Sequence, residues 1–157
     1  LIVDDSRAMR SIITRTIVKA GFEGIDLFEA ENGRHGVEQV EAVKPDMVLS
    51  DWNMPEQDGL EFLKAIRPSH PDLTFGFITS MGTNDMRDVA HEAGANFFIG
   101  KPFTVEMFSR QLGPYIDALG GRRQRVLGTK KMNRSFVAKL WEACKRGFIA
   151  PNLKRSE

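Results

Sequence analysis

Short, nearly unbroken apolar runs alternate along most of this chain with stretches whose apolar residues recur every three or four positions. Leu1-Ile2-Val3 is an apolar run that ends at Asp4-Asp5. From Ser6 onward Met9, Ile12, Ile13, Thr16, Ile17 and Ala20 follow helical spacing, and Gly21 closes the helix. Ile25 to Ala30 reads as a second strand. A helix from Gly36 to Val43 turns Val37, Val40 and Val43 inward and stops before Pro45. Asp46 to Ser50 is the third strand, and a loop with Pro55 and Gly59 leads to a helix over Leu60 to Ile66. Pro68 and Pro71 mark the next connection. Leu73 to Thr79 predicts a fourth strand, and Asn84 a cap for a helix to Ala93 that Gly94 ends. Asn96 to Ile99 is the fifth strand, after which Thr104 caps a last helix through Phe108, Leu112 and Ile116 to Leu119. Strands that are apolar throughout, alternating with helices, specify an α/β fold whose parallel sheet is covered on both faces.

Four polar islands sit at or just past the ends of these strands: Asp4-Asp5, Asp51-Trp52-Asn53-Met54-Pro55, Thr79-Ser80 and Lys101-Pro102-Phe103. In an open α/β sheet the carboxyl ends of the strands are where ligands bind. Three carboxylates, a hydroxyl and an ammonium would therefore converge at one edge. Clustered carboxylates repel one another unless a cation relieves them. Hard oxygen donors of this kind suit Mg²⁺, whose coordination is usually completed by water and a phosphate. Lys101 and Thr79 offer a charge and a hydroxyl to such a phosphate. The constellation reads as a phosphoryl-transfer site with an aspartate acceptor, for which Asp51 is the candidate nucleophile.

In this order, the islands resemble the receiver domain of two-component response regulators. The Asp51-Trp52-Asn53-Met54-Pro55 string is most similar to the single-domain, CheY-like chemotaxis regulators. The resemblance spans residues 1–119. It implies a (βα)5 flavodoxin-like sheet of order 2-1-3-4-5, which this family itself exemplifies. It also implies that Asp51 accepts the phosphoryl group, that Asp5 ligates Mg²⁺ directly and that Asp4 acts mainly through water. Asn53 would lend its backbone carbonyl to the metal. Lys101, aimed by a cis Lys101-Pro102 bond, would pair with the phosphoryl oxygens; only X-Pro bonds readily permit that isomer. Thr79 would bond the new phosphoryl group and draw in a switch aromatic that maps to Phe98, where close members often carry Tyr. The implied partners are a sensor histidine kinase or phosphotransfer protein and a downstream target, with chemotaxis or motility as the implied setting, bound on the face built by the fourth helix, fifth strand and fifth helix. Such a receiver is a signalling phosphoacceptor that catalyses only its own phosphotransfer and dephosphorylation. A flavodoxin-type FMN carrier shares the fold, yet no Ser/Thr-rich phosphate loop follows the first strand.

Charge changes the picture only beyond the receiver. Residues 1–120 carry 11 Lys/Arg against 19 Asp/Glu, a balance of −8, whereas residues 121–157 carry 11 against 2, a balance of +9. That shift, with the Gly120-Gly121 pair as a breaker, predicts a boundary there, so that residues 120–157 form a basic linker and a helix. Phe136, Val137, Leu140, Trp141, Cys144 and Phe148 make the apolar stripe of that helix, among Arg134, Lys139, Lys145 and Arg146. Its candidate ligands are nucleic acid, an anionic membrane surface, a partner groove or its own receiver. A nucleic-acid-binding regulator with this tail as effector is thus the rival reading. No apolar stretch of about 18 residues is present, which argues against a spanning helix. The chain opens at Leu1, inside what reads as the first strand, without a visible signal segment. The lone Cys144 cannot form an internal disulfide, in keeping with a reducing cytoplasm. The oligomeric expectation is a monomer or weak dimer.

Met81 stands two places after Thr79, where polar residues in the family help to orient the water that hydrolyses the acyl phosphate. A thioether cannot do so by hydrogen bonding. Replacing Met81 by Glu should therefore shorten the phosphoryl lifetime, and equal decay rates for the two proteins would remove this role.

Overall fold

The computed structural model describes residues 1–22, 24–80 and 82–127, with side chains as far as Leu119. In chain order the elements are β1 (Ile2–Val3), α1 (Arg7–Lys19), β2 (Glu29–Ala30), α2 (Gly33–Val43), β3 (Met47–Ser50), α3 (Gly59–Ile66), β4 (Thr74–Thr79), α4 (Asn84–Glu92), β5 (Phe97–Gly100) and α5 (Val105–Leu127). The five strands form one sheet of order β2-β1-β3-β4-β5, every pair parallel, which is the flavodoxin-like topology expected.

Side-chain alternation along each strand sorts the core into two layers. On one face Val3, Val48, Phe75 and Phe77 pack with Val40 of α2, Phe62, Leu63 and Ile66 of α3 and Ala90 of α4. On the other, Ile2, Leu49, Ile78, Phe97 and Ile99 pack with Ile13 and Ile17 of α1 and Phe108 and Leu112 of α5. Covered in this way, the sheet presents only its strand ends to a ligand.

Local signals start each helix. Ser6, Asn32, Asp58 and Thr83 accept from the backbone N–H of Met9, His35, Glu61 and Met86, and Asp58 with Glu61 completes a capping box. Thr104 accepts from the Met107 N–H at 3.3 Å. Gly21 and Gly94 take φ of +86° and +98° just past α1 and α4, as a left-handed helix stop requires.

Several boundaries move from the expectation. Thr83 rather than Asn84 caps α4, and β2 holds only Glu29 and Ala30 of the expected run. The second helix begins at Gly33, three residues early, because Gly33 and Gly36 serve close packing and not a turn. A Cβ on Gly36 would stand 2.9 Å from the Phe62 ring, and one on Gly33 2.7 Å from the Gln57 carbonyl oxygen. The Gly120-Gly121 pair does not end α5, which runs on to Leu127. Glycine costs a helix only about 1 kcal/mol, and the Arg-rich stretch that follows favours continuation. Pro114 lies inside α5 and removes one backbone donor. No helix among the described residues is long and apolar enough to cross a membrane. The expectations for Met81 and for the apolar stripe from Phe136 to Phe148 lie outside the described residues.

Alanine should not be tolerated at Gly59. A Cβ there would fall 2.2 Å from the Asp51 carbonyl oxygen. Gly59→Ala should cost roughly 1–3 kcal/mol by overpacking. The urea unfolding midpoint measures it.

Candidate functional site

Strand register brings the islands together. Val3 pairs with Ser50 across β1 and β3, so the next residues, Asp4 and Asp51, emerge side by side. The Asp51 N–H donates to the Val3 carbonyl at 2.7 Å, which fixes that level. Thr79 pairs with Gly100 across β4 and β5, and the Lys101 N–H then donates to the Thr79 carbonyl at 2.8 Å. The Lys101-Pro102 bond is cis. Lys101 Nζ donates to Asp4 Oδ2 at 2.9 Å and lies 3.2 Å from Asp51 Oδ2. One ammonium thus spans two carboxylates from different strands.

Burial grades the three acids. The Asp4 side chain is 1% exposed and that of Asp51 13%, while Asp5 is exposed. A buried carboxylate needs partners, and Asp4 has two: Lys101 and, at 2.9 Å from Oδ1, the Ser6 N–H. Asp51 Oδ1 accepts from the Trp52 N–H at 2.8 Å. Burial nevertheless raises the Asp51 pKa above the usual carboxylate range. Lys101 and the Trp52 N–H pull it back, and the Asp4 charge adds to the rise. The burial cost outweighs the relief that Lys101 gives Asp51.

One carboxylate oxygen from each of Asp4, Asp5 and Asp51 lies within 4.8 Å of the others. Three hard oxygen donors, one exposed and two at the sheet edge, with Asp51 held short of full charge relief, fit a divalent cation such as Mg²⁺. Asn53, an exposed residue, follows in the loop after β3. Phe98 stands across from Phe77 in the register of β4 and β5, stacks on it at 5.2 Å between centroids, and approaches Trp52 at 6.5 Å.

Two arginines complete this neighbourhood and were not singled out in the sequence. Arg10 donates through Nη1 to the Asp4 carbonyl at 2.9 Å and through Nε to Glu29 at 2.8 Å, fixing the backbone of the acidic turn. A signal was present, since α1 opens with Arg7 and Arg10 and no acid in its first turn. Cations at a helix N-terminus oppose the helix dipole, so nearby acids had to compensate. Arg87 of α4 lies over the Phe98 ring at 5.7 Å.

Fold and site together define a receiver of the two-component type. Residues 1–112 match the response regulator receiver domain model, and the chain belongs to that family. It is 38% identical over 115 residues to chemotaxis protein CheY1 of Helicobacter pylori, covering 71% of this chain and 91% of the relative. Identity to chemotaxis protein CheY of Thermotoga maritima is 42% over 103 residues, 66% of this chain and 84% of the relative. The solved structure of Vibrio cholerae CheY4 superposes with a TM-score of 0.65 at 27% identity, covering 73% of this chain and 94% of that one. This is a CheY-like signalling module, and receivers of the family hold Mg²⁺ at an acidic pocket of this kind.

The raised Asp51 pKa carries a stability consequence. A carboxyl held more protonated in the folded state than in the unfolded chain, where its pKa is near 3.8, favours folding at low pH and opposes it once ionised. In metal-free buffer Asp51→Asn should therefore be more stable than the native protein at neutral pH. That advantage should shrink as pH falls through the raised Asp51 pKa toward the unfolded value. Urea titrations across this range check the sign, and added Mg²⁺ should reverse the order by stabilising only the native protein.

Proposed function

We propose that this protein accepts a phosphoryl group on Asp51 from a sensor histidine kinase or phosphotransfer protein and relays the signal by a conformational change around Phe98. The observation that supports this most directly is the single Lys101 ammonium held between Asp4 and Asp51 at 2.9 and 3.2 Å, beside the exposed Asp5 carboxylate.

In this reading Asp5, Asp51 and the Asn53 backbone carbonyl would hold Mg²⁺, with Asp4 acting through water. When bound, the ion would supply positive charge against which the phosphoryl oxygens and the ionised Asp51 carboxylate are stabilised. Asp51 then attacks phosphorus in line, using a carboxylate oxygen freed from Lys101. The bond from phosphorus to the donor nitrogen or oxygen breaks, and the leaving group keeps the electron pair and takes up a proton. Lys101 transfers its contact from the carboxylate to a phosphoryl oxygen, so the positive charge follows the developing negative charge. Thr79 Oγ1 donates to another phosphoryl oxygen. Water later attacks the acyl phosphate and restores the carboxylate.

Phosphorylation biases a pre-existing equilibrium of Thr79 and Phe98, and the output surface is α4, β5 and α5. The module turns over no separate substrate. The relatives' names point to chemotaxis or motility, with the receiver over residues 1–119 acting in the cytoplasm as a monomer or weak dimer. Residues 120–157 are a basic appendage. Their balance of +9 against −8 for residues 1–120 favours one competing reading, in which the tail binds nucleic acid as the effector. Steep loss of binding with added salt would support that reading.

Incubation with acetyl phosphate and Mg²⁺ should add one phosphoryl group, seen by intact mass. The adduct should be absent in EDTA and in Asp51→Asn. An adduct that persists in Asp51→Asn would overturn the assignment of the acceptor.

A further inference from the structure

The Arg87 guanidinium occupies a place that none of the roles above uses. Its carbon stands 5.7 Å from the centroid of the Phe98 ring. Its Nη2 and Nε lie 3.6 and 3.8 Å from the point where a Cβ on Gly82 would stand. The group therefore bridges two elements: the loop from β4 to α4, which begins immediately after Thr79, and the aromatic ring of β5. That ring is packed in turn against Phe77 at 5.2 Å and near Trp52 at 6.5 Å, and Trp52 is the residue after Asp51. Arg87, Phe98, Phe77 and Trp52 thus form a connected group between the fourth helix and the candidate acceptor.

The chemistry of each member suits a restraint. A guanidinium is always charged, planar and weakly hydrated, and it rests readily on an aromatic face. Phenylalanine has no hydroxyl to hydrate when it turns outward. Movement of Phe98 off Phe77 would expose apolar surface and also break the contact with Arg87. Arg87 lies along the loop at Gly82, at ordinary contact distance from where a Cβ would stand.

We propose that Arg87 is a positioning residue that clasps Phe98 in its packed position and makes the loop after Thr79 and the Phe98 ring move together. The clasp holds the unphosphorylated state, and the acceptor must break it to expose the output face. This inference rests on the reading of Asp51 as acceptor and Phe98 as switch aromatic.

The test uses the full-length chain with Trp141→Phe, which leaves Trp52 as the remaining tryptophan of the two present. Beryllium fluoride with Mg²⁺ serves as the acyl-phosphate mimic, and its binding is followed by Trp52 fluorescence. Removing a restraint on the unliganded state raises the apparent affinity of any ligand that selects the other state. Arg87→Gln should tighten binding by roughly two- to fivefold, the scale of an exposed cation–π contact. Arg87→Lys, which keeps the cation, should stay near the native value. In parallel, the Nε–H resonance of Arg87 should carry a ring-current shift that disappears in Phe98→Leu. If the native protein does not bind the mimic, the acceptor reading fails and the clasp with it. If it binds and Arg87→Gln matches the native affinity, or the Nε–H shift survives in Phe98→Leu, the clasp alone is overturned.

Discussion

The buried pair between Asp4 and Lys101 is the contact on which the rest of the site depends. Asp4 lies at the end of β1 with almost no access to water, so its charge has to be met inside the protein. The group that meets it comes from beyond β5, on the far side of both β3 and β4 in the sheet. A lysine that spans that distance must cross the end of β3, which is where Asp51 stands. The proximity of Lys101 to Asp51 is thus a geometric result of satisfying Asp4. Removing one member of a buried pair strands the other, at a cost on the order of 3–5 kcal/mol. The pair therefore ties the stability of the sheet's open edge to the electrostatics of the candidate acceptor.

Sharing one ammonium between two carboxylates has a second effect. Burial raises the Asp51 pKa, and the shared Lys101 ammonium only partly offsets it. An incompletely neutralised cluster attracts a cation, and a cation there attracts an anionic phosphoryl group. The same imbalance gives Lys101 somewhere to go when new negative charge arrives. A fully satisfied site would have neither property.

Much of this was legible in the residues. The strand ends at Asp4, Asp51, Thr79 and Lys101 follow from apolar runs terminated by polar groups, and parallel pairing then forces them together. The alternation of strands and helices carried the fold class. What escaped the pattern were features that depend on partners distant in sequence. Gly33 reads as loop and Gly36 as the helix start because glycine breaks helices, whereas here both sit in the first turn and admit the Gln57 carbonyl and the Phe62 ring from α3 and the loop before it. The end of α5 was misplaced because a glycine pair weakens a helix without stopping it when good helix formers follow. The contacts of Arg10 with Asp4 and Glu29 and of Arg87 with Phe98 carry no periodic signal, since each depends on where a long side chain lands.

The loop from β3 to α3 is fastened differently on its two sides. Toward α2 it is stitched by the Gly33 N–H to the Gln57 carbonyl at 3.1 Å and by Asn32 Nδ2 to Glu56 Oε1 at 3.1 Å, with Glu56 held at φ +65°. A non-glycine residue kept in that left-handed conformation marks a segment its surroundings constrain firmly. Toward β4 the neighbouring contact is aromatic, Trp52 against Phe77 at 4.8 Å, and rings slide over one another more easily than hydrogen bonds stretch. The loop after Asp51 is thus fastened by hydrogen bonds on the α2 side and by ring contact on the β4 side. Under the proposed acceptor role, a push at Asp51 would meet less resistance across Trp52 toward β4 and β5 than toward α2, so the layout of the loop would favour one half of the molecule for carrying news of the event.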